Sequence, residues 1–149
     1  MTWLIVLLIL AVIAGNLMWL MPSKRERQQM IFRQSAITRK MKVSECKDPE
    51  KLPEACDPEV HWMEYVLPTE RSLDIHVPIV LKLMTNHAWV LPDALNQQAV
   101  AGLLAELPSG VVQVTIRQMS VVALWDERGD KDTIDQLHAV LTSLRDTYL

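Results

Sequence analysis

Cys46 and Cys56 stand with nine residues between them in "CKDPEKLPEACDPE", a loop of prolines and acids. Such a pair forms a disulfide in an oxidising compartment and stays reduced in the cytoplasm. Zinc sites use closely spaced Cys pairs or Cys2His2 sets. This spacing matches neither, even with His61 as a third ligand, so no metal site is predicted. His61, His76, His87 and His138 fall on different elements, and each reads as a polar residue at a strand or helix edge. Asp74 and His76 share a face if "ERSLDIHVP" is extended, but no Ser or Cys nucleophile stands in an elbow beside them. "WDERGD" is the densest polar cluster. Asp126 and Glu127 there offer a carboxylate pair at a strand end. The competing reading, which we favour, is a strand-to-helix turn with Gly129 at positive φ and acids at the helix N-terminus. Four well-spread glycines leave no Gly-rich phosphate loop. No catalytic residue and no cofactor is predicted.

The elements that must position these residues read as follows. "MKVSEC" is a short strand, and "HWMEYVLP" is a strand ended by Pro68. "IVLKLM" and "HAWVL" form a hairpin around Thr85 and Asn86. "LPDALNQQAVAGLLAELPSG" is a helix, with Pro92 in its first turn, Leu95, Ala99, Leu103, Leu104 and Leu107 along one side, and Pro108 and Gly110 closing it. "VVQVTIRQ" alternates Val112, Val114 and Ile116 against Gln113, Thr115 and Arg117, the pattern of a half-buried strand. "SVVALW" is a further strand. Asp130 or Asp132 caps a last helix striped by Ile134, Leu137, Leu141, Leu144 and Tyr148. The expected fold is α+β, a small, mostly antiparallel sheet with two helices on one face. Trp62, Trp89 and Trp125 each lie at or near a strand. They suit core or sheet-edge positions and, if clustered on one exposed face, a docking surface.

Charge is polarised along the chain. Thr2 to Met21 carries none, and only Gly15 and Asn16 interrupt the apolar run from Trp3 to Met21. A helix of about 19 such residues rises roughly 28 Å, close to a bilayer's hydrocarbon thickness. Trp3 and Trp19 sit near its ends, where indoles favour headgroups. Ser23 to Lys42 then holds seven Lys or Arg against Glu26 alone, a charge of +6. The remainder has 8 bases and 17 acids, 8 − 17 = −9, and the sum is the overall −3. These features predict an anchor at residues 1–21, a basic juxtamembrane helix at 22–42 and an α+β domain at 43–149. The positive flank predicts a single-pass bacterial inner-membrane protein, its N-terminus periplasmic and its C-terminal domain cytoplasmic. Lys24, Arg25, Arg27 and Arg33 are expected on lipid headgroups, each nearby cation worth about 1 kcal/mol. Ala11 and Gly15 form a small-xxx-small pair that, with the polar Asn16 beside it, suits a partner helix. The acidic domain argues against nucleic acid.

The uncharged run Leu4–Met21, Pro22 and "SKRERQQ" with its following cations resemble YajC, the accessory subunit of the bacterial preprotein translocase. The resemblance covers about the first 42 residues and stops beyond Val43. The whole chain looks more like bacterial single-span membrane proteins labelled YajC-like, which have a tract similar to "ALWDERGD" and a final helix. That resemblance implies an accessory role beside a membrane complex and carries over no catalytic residue. The expected function is a non-enzymatic accessory or scaffold protein whose α+β domain binds a protein partner. The alternative is a tethered ligand-binding or regulatory domain.

Overall fold

The computed structural model describes the chain apart from residues 1, 20, 47–51, 54–55, 58, 86, 93–96, 131 and 149. The chain divides into two units, Met1–Ile31 and Phe32–Leu149.

In the first unit, α1 (Thr2–Trp19) is a helix of 18 residues that exposes apolar side chains such as Trp3, Leu7, Leu10 and Leu17. Among the described residues, no helix is long and apolar enough to cross a membrane. The transmembrane anchor expected at residues 1–21, and with it the single-pass inner-membrane placement, is corrected by this finding. The reason is length: the described helix has 18 residues and rises about 27 Å, short of the roughly 20 predominantly apolar residues that a span needs. α2 (Lys24–Thr38) opens on "SKRE", a capping box the sequence carries in full. The Ser23 backbone N–H donates to Glu26 Oε2 (2.6 Å) and the Glu26 N–H to Ser23 Oγ (3.2 Å), so two otherwise orphaned donors are satisfied. The helix ends within the second unit on a left-handed residue, Lys40 (φ 61°). There Met41 N–H reaches Ala36 O and Lys40 N–H reaches Ile37 O, a Schellman closure.

The second unit is α+β, as expected. Its sheet has six strands: β1 (Lys42–Glu45), β2 (Met63–Pro68), β3 (Ile79–Leu83), β4 (Trp89–Val90), β5 (Val111–Arg117) and β6 (Ser120–Trp125). They run antiparallel throughout, in the order β1-β2-β6-β5-β3-β4. Two further helices, α3 (Gln97–Ala105) and α4 (Thr133–Thr147), complete the fold. The α4 stripe packs as its spacing predicts. Ile134, Leu137, Leu141 and Leu144 are buried, and Tyr148 packs partly buried against them. They meet Tyr65, Leu81, Val114, Ile116, Val121, Ala123 and Trp125 of the sheet, Val100 and Leu104 of α3, and Phe32 and Ala36 from the end of α2. The β3–β4 hairpin forms, with Leu83 paired to Trp89, and its expected turn residue Asn86 lies outside the described residues, as does Leu95.

Three local readings change. Residues 70–78 form no strand, so Asp74 and His76 share no sheet face. The β5 register shifts between Val111 and Gln113, and this bulge sends Val111 rather than Val112 into the core. Asp132 occupies the N-cap of α4 without a side-chain cap bond, while Thr133 Oγ1 accepts the Asp130 backbone N–H at 2.8 Å.

Candidate functional site

The tract after β6 builds the most constrained polar group in the fold. Trp125 is the last strand residue and is fully buried. Its ring lies against Phe32 (centroids 5.3 Å) and edge-on to Tyr65 (5.4 Å), and its Nε1–H donates to Ser109 O. Two residues on, Glu127 adopts a left-handed backbone (φ 58°) that costs a non-glycine residue about 1 kcal/mol or more. That turn carries its carboxylate inward, where the side chain is 1% exposed. Arg33 grips it with both arms of its guanidinium, Nε to Oε1 at 2.8 Å and Nη2 to Oε2 at 2.7 Å, and Tyr65 OH donates to Oε1 at 2.8 Å. Bidentate, charge-assisted bonds of this kind are the strong ones. The hydrogen bond to Glu127 raises the Arg33 pKa. Burial first, and then the Glu127 charge, raises that of Tyr65. Both oxygens of Glu127 are engaged, with almost no solvent contact. The carboxylate pair read from "WDERGD" is thus divided. Glu127 clamps the last turns of α2, whereas Asp126 pairs with Arg128 (3.2 Å) and lies against Gly110.

Beside this clamp a cleft of about 670 Å³ opens, bordered by the β3–β4 hairpin, α3 and the turn before β5. Trp62 and Trp89 line it, with Leu83, Leu104, Leu107 and Val111 as further apolar surface and the Asp126 carboxylate at one point of the wall. Trp62 is held by its Nε1–H bond to Asp57 O (3.0 Å) and is 7% exposed. Trp89 is half-buried and packs against the core from the short edge strand β4. His87, at the hairpin end with φ 60°, also faces the cleft. The structure therefore brings together two of the three tryptophans read as candidate docking aromatics. It sends Trp125 to the core, as its place in the five-residue buried run Val121–Trp125 requires.

The other residues singled out by sequence lie apart. Ala11, Gly15 and Asn16 are exposed on α1, and a Cβ at Gly15 would meet nothing within 4 Å. Lys24, Arg25 and Arg27 are exposed on α2, whereas Arg33, grouped with them by charge alone, has its partner in Glu127. Cys46 and Cys56 are not joined by a disulfide. Burial, helped by the nearby Cys46 and Asp126, pushes the Cys56 thiol up to about 11, away from thiolate chemistry. His61 is exposed, 3.4 Å from Glu45. Among the described residues, no three His, Cys, Asp or Glu side chains converge on a metal position.

Fold and site together define an α+β domain on one antiparallel sheet, closed by a clamped helix end and carrying a tryptophan-lined cleft. Neither a family model, nor a curated protein, nor a solved structure matches the chain.

Proposed function

We propose that this chain is a non-enzymatic accessory or scaffold protein, and that its α+β unit receives an apolar, base-flanked segment of a protein partner in the Trp62–Trp89 cleft. The cleft itself carries this reading. It is concave and mostly apolar, and it holds two indole rings at fixed positions, the residues that dominate binding energy at protein interfaces. The chemistry of the occupant follows from the wall. Leu83, Leu104, Leu107 and Val111 suit aliphatic or aromatic side chains, and the acidic balance of residues 43–149, nine more acids than bases, suits a neighbouring Lys or Arg. The polar groups of "WDERGD" support the same view, because Glu127 is spent on the clamp. The YajC-like character of the first 42 residues agrees with an accessory role beside a larger assembly.

Filling the cleft tests this. Ala101 is an exposed α3 residue on its border, so Ala101→Trp adds bulk there without removing a core contact. The full chain carrying Ala101→Trp, or Trp89→Ala, is expected to lose its partner at least about tenfold in affinity, the effect of a truncated interface anchor. Its unfolding transition should stay cooperative. Undiminished partner affinity in both variants would contradict the assignment.

A further inference from the structure

On another side of the second unit, the end of α2, the segment after β2 and one face of α4 border an open cavity of about 620 Å³. Arg39, Lys40, Arg71 and Arg145 line it together with His138 and Thr69, and Glu70 is the one acid among the described lining residues. His138 and Arg145 lie seven residues apart, two turns along α4, so one helix face supplies both.

We propose that this cavity binds the phosphate monoester group of a small molecule. Three observations support a built site rather than a chance cluster of cations. First, two of the cations are fixed in place: Arg39 pairs with Asp135 and donates Nη1–H to Ser35 O, and Arg145 pairs with Asp146 (2.8 Å). Among the described residues, Lys40 and Arg71 have no ion-pair partner, which leaves two whole positive charges for a ligand. Second, Thr69 is 7% exposed and its Oγ1 is buried with no hydrogen-bond partner, although buried hydroxyls are rarely left unsatisfied. A phosphate oxygen would accept that hydroxyl proton. Third, the local field is positive. Burial lowers the His138 pKa, and the charges of Arg39 and Arg145 lower it further against the opposing effect of Asp135. Arg forks, a lysine and a hydroxyl are the donors that recognise the three terminal oxygens of a phosphate monoester, and the volume falls within the range of small-molecule sites. The cavity is separate from the tryptophan cleft and does not depend on the partner proposed for it.

Calorimetric titration of the full chain with inorganic phosphate, pyrophosphate and glycerol phosphate at constant ionic strength tests the proposal. A parallel arm measures co-sedimentation with phosphatidic-acid vesicles against phosphatidylcholine vesicles. Saturable binding of a phosphate probe is expected, weakened about tenfold by Arg71→Ala, the loss of one charge-assisted bond. Thr69→Val should weaken it as well, while Lys82→Ala, on the exposed side of β3, should leave it unchanged. Binding confined to the soluble probes assigns the phosphate to a free small molecule. Vesicle binding alone, lost in the same two variants, assigns it to a lipid headgroup. No saturable binding in either arm, or binding indifferent to both Arg71→Ala and Thr69→Val, overturns the proposal.

Discussion

Arg33→Ala is expected to destabilise the Phe32–Leu149 unit by about 3 kcal/mol, the lower end of the range for removing one partner of a buried pair. The lower end applies because Arg33 keeps 39% of its side chain in solvent, whereas Glu127 keeps 1%. The variant therefore leaves a buried carboxylate with only the Tyr65 hydroxyl for company. Arg33→Lys should recover part of the loss by restoring charge without the two-armed geometry. Tyr65→Phe removes one neutral donor and should cost about 1 kcal/mol. It also carries a pH signature. The folded Tyr65 pKa is raised, so its contribution is complete below the ordinary tyrosine value near 10 and is lost as pH rises beyond it, because the unfolded chain releases the proton first. Cys56 and Tyr148, also raised by burial, contribute in the same direction. Tyr65→Phe should make the alkaline fall in stability shallower without abolishing it. Urea unfolding followed by tryptophan fluorescence at pH 7 and above pH 9 measures all three variants. A loss under 1 kcal/mol for Arg33→Ala would show that the clamp is spectator geometry.

Two Gly→Ala changes should act with opposite signs. At Gly110 the backbone sits at φ 89°, a conformation L-residues rarely adopt, and an added Cβ would lie 2.1 Å from Asp126 Oδ1 and 2.7 Å from its Cγ. Asp126 is 6% exposed, holds Arg128 through an ion pair and a backbone bond, and has little room to retreat. Gly110→Ala is expected to cost about 2–4 kcal/mol through combined strain and overlap. It should also weaken the cleft, which Gly110 borders. Gly102 lies within α3, exposed, with nothing within 4 Å of a built Cβ. There the same change should stabilise by about 0.5–1 kcal/mol, because alanine loses less backbone freedom in a helix. Equal effects at the two sites would contradict the geometry described for the turn before β5.

What the sequence made legible was periodic or local. The α4 stripe, the β3–β4 hairpin and the α+β class all follow from spacing within one segment, and each is present. "SKRE" is equally local, a capping box at the start of α2 that was not read from the sequence. The bulge at Val112 escaped because strict alternation groups Val112 with Val114 and Ile116, and only the pairing of Val111 with Trp125 reveals the shift. The clamp escaped for a different reason. Arg33 and Glu127 are 94 residues apart, and in a segment of seven cations nothing local distinguishes the one whose partner is buried. Arg39, Thr69, Arg71, His138 and Arg145 come from three segments joined only by the fold. The expected anchor failed on length: the apolar run was counted on to Met21, whereas α1 has 18 residues, Thr2–Trp19.

Site-specific photo-crosslinking from Ala101, at the border of the tryptophan cleft, tests the central claim most directly. With the full chain, the predicted result is one crosslinked protein whose attached peptide is apolar and flanked by Lys or Arg. That product should disappear in Trp89→Ala and persist when the crosslinker chain carries Lys82→Ala. Crosslinks spread over unrelated proteins, or a single product that survives Trp89→Ala unchanged, would contradict the cleft as the partner's seat.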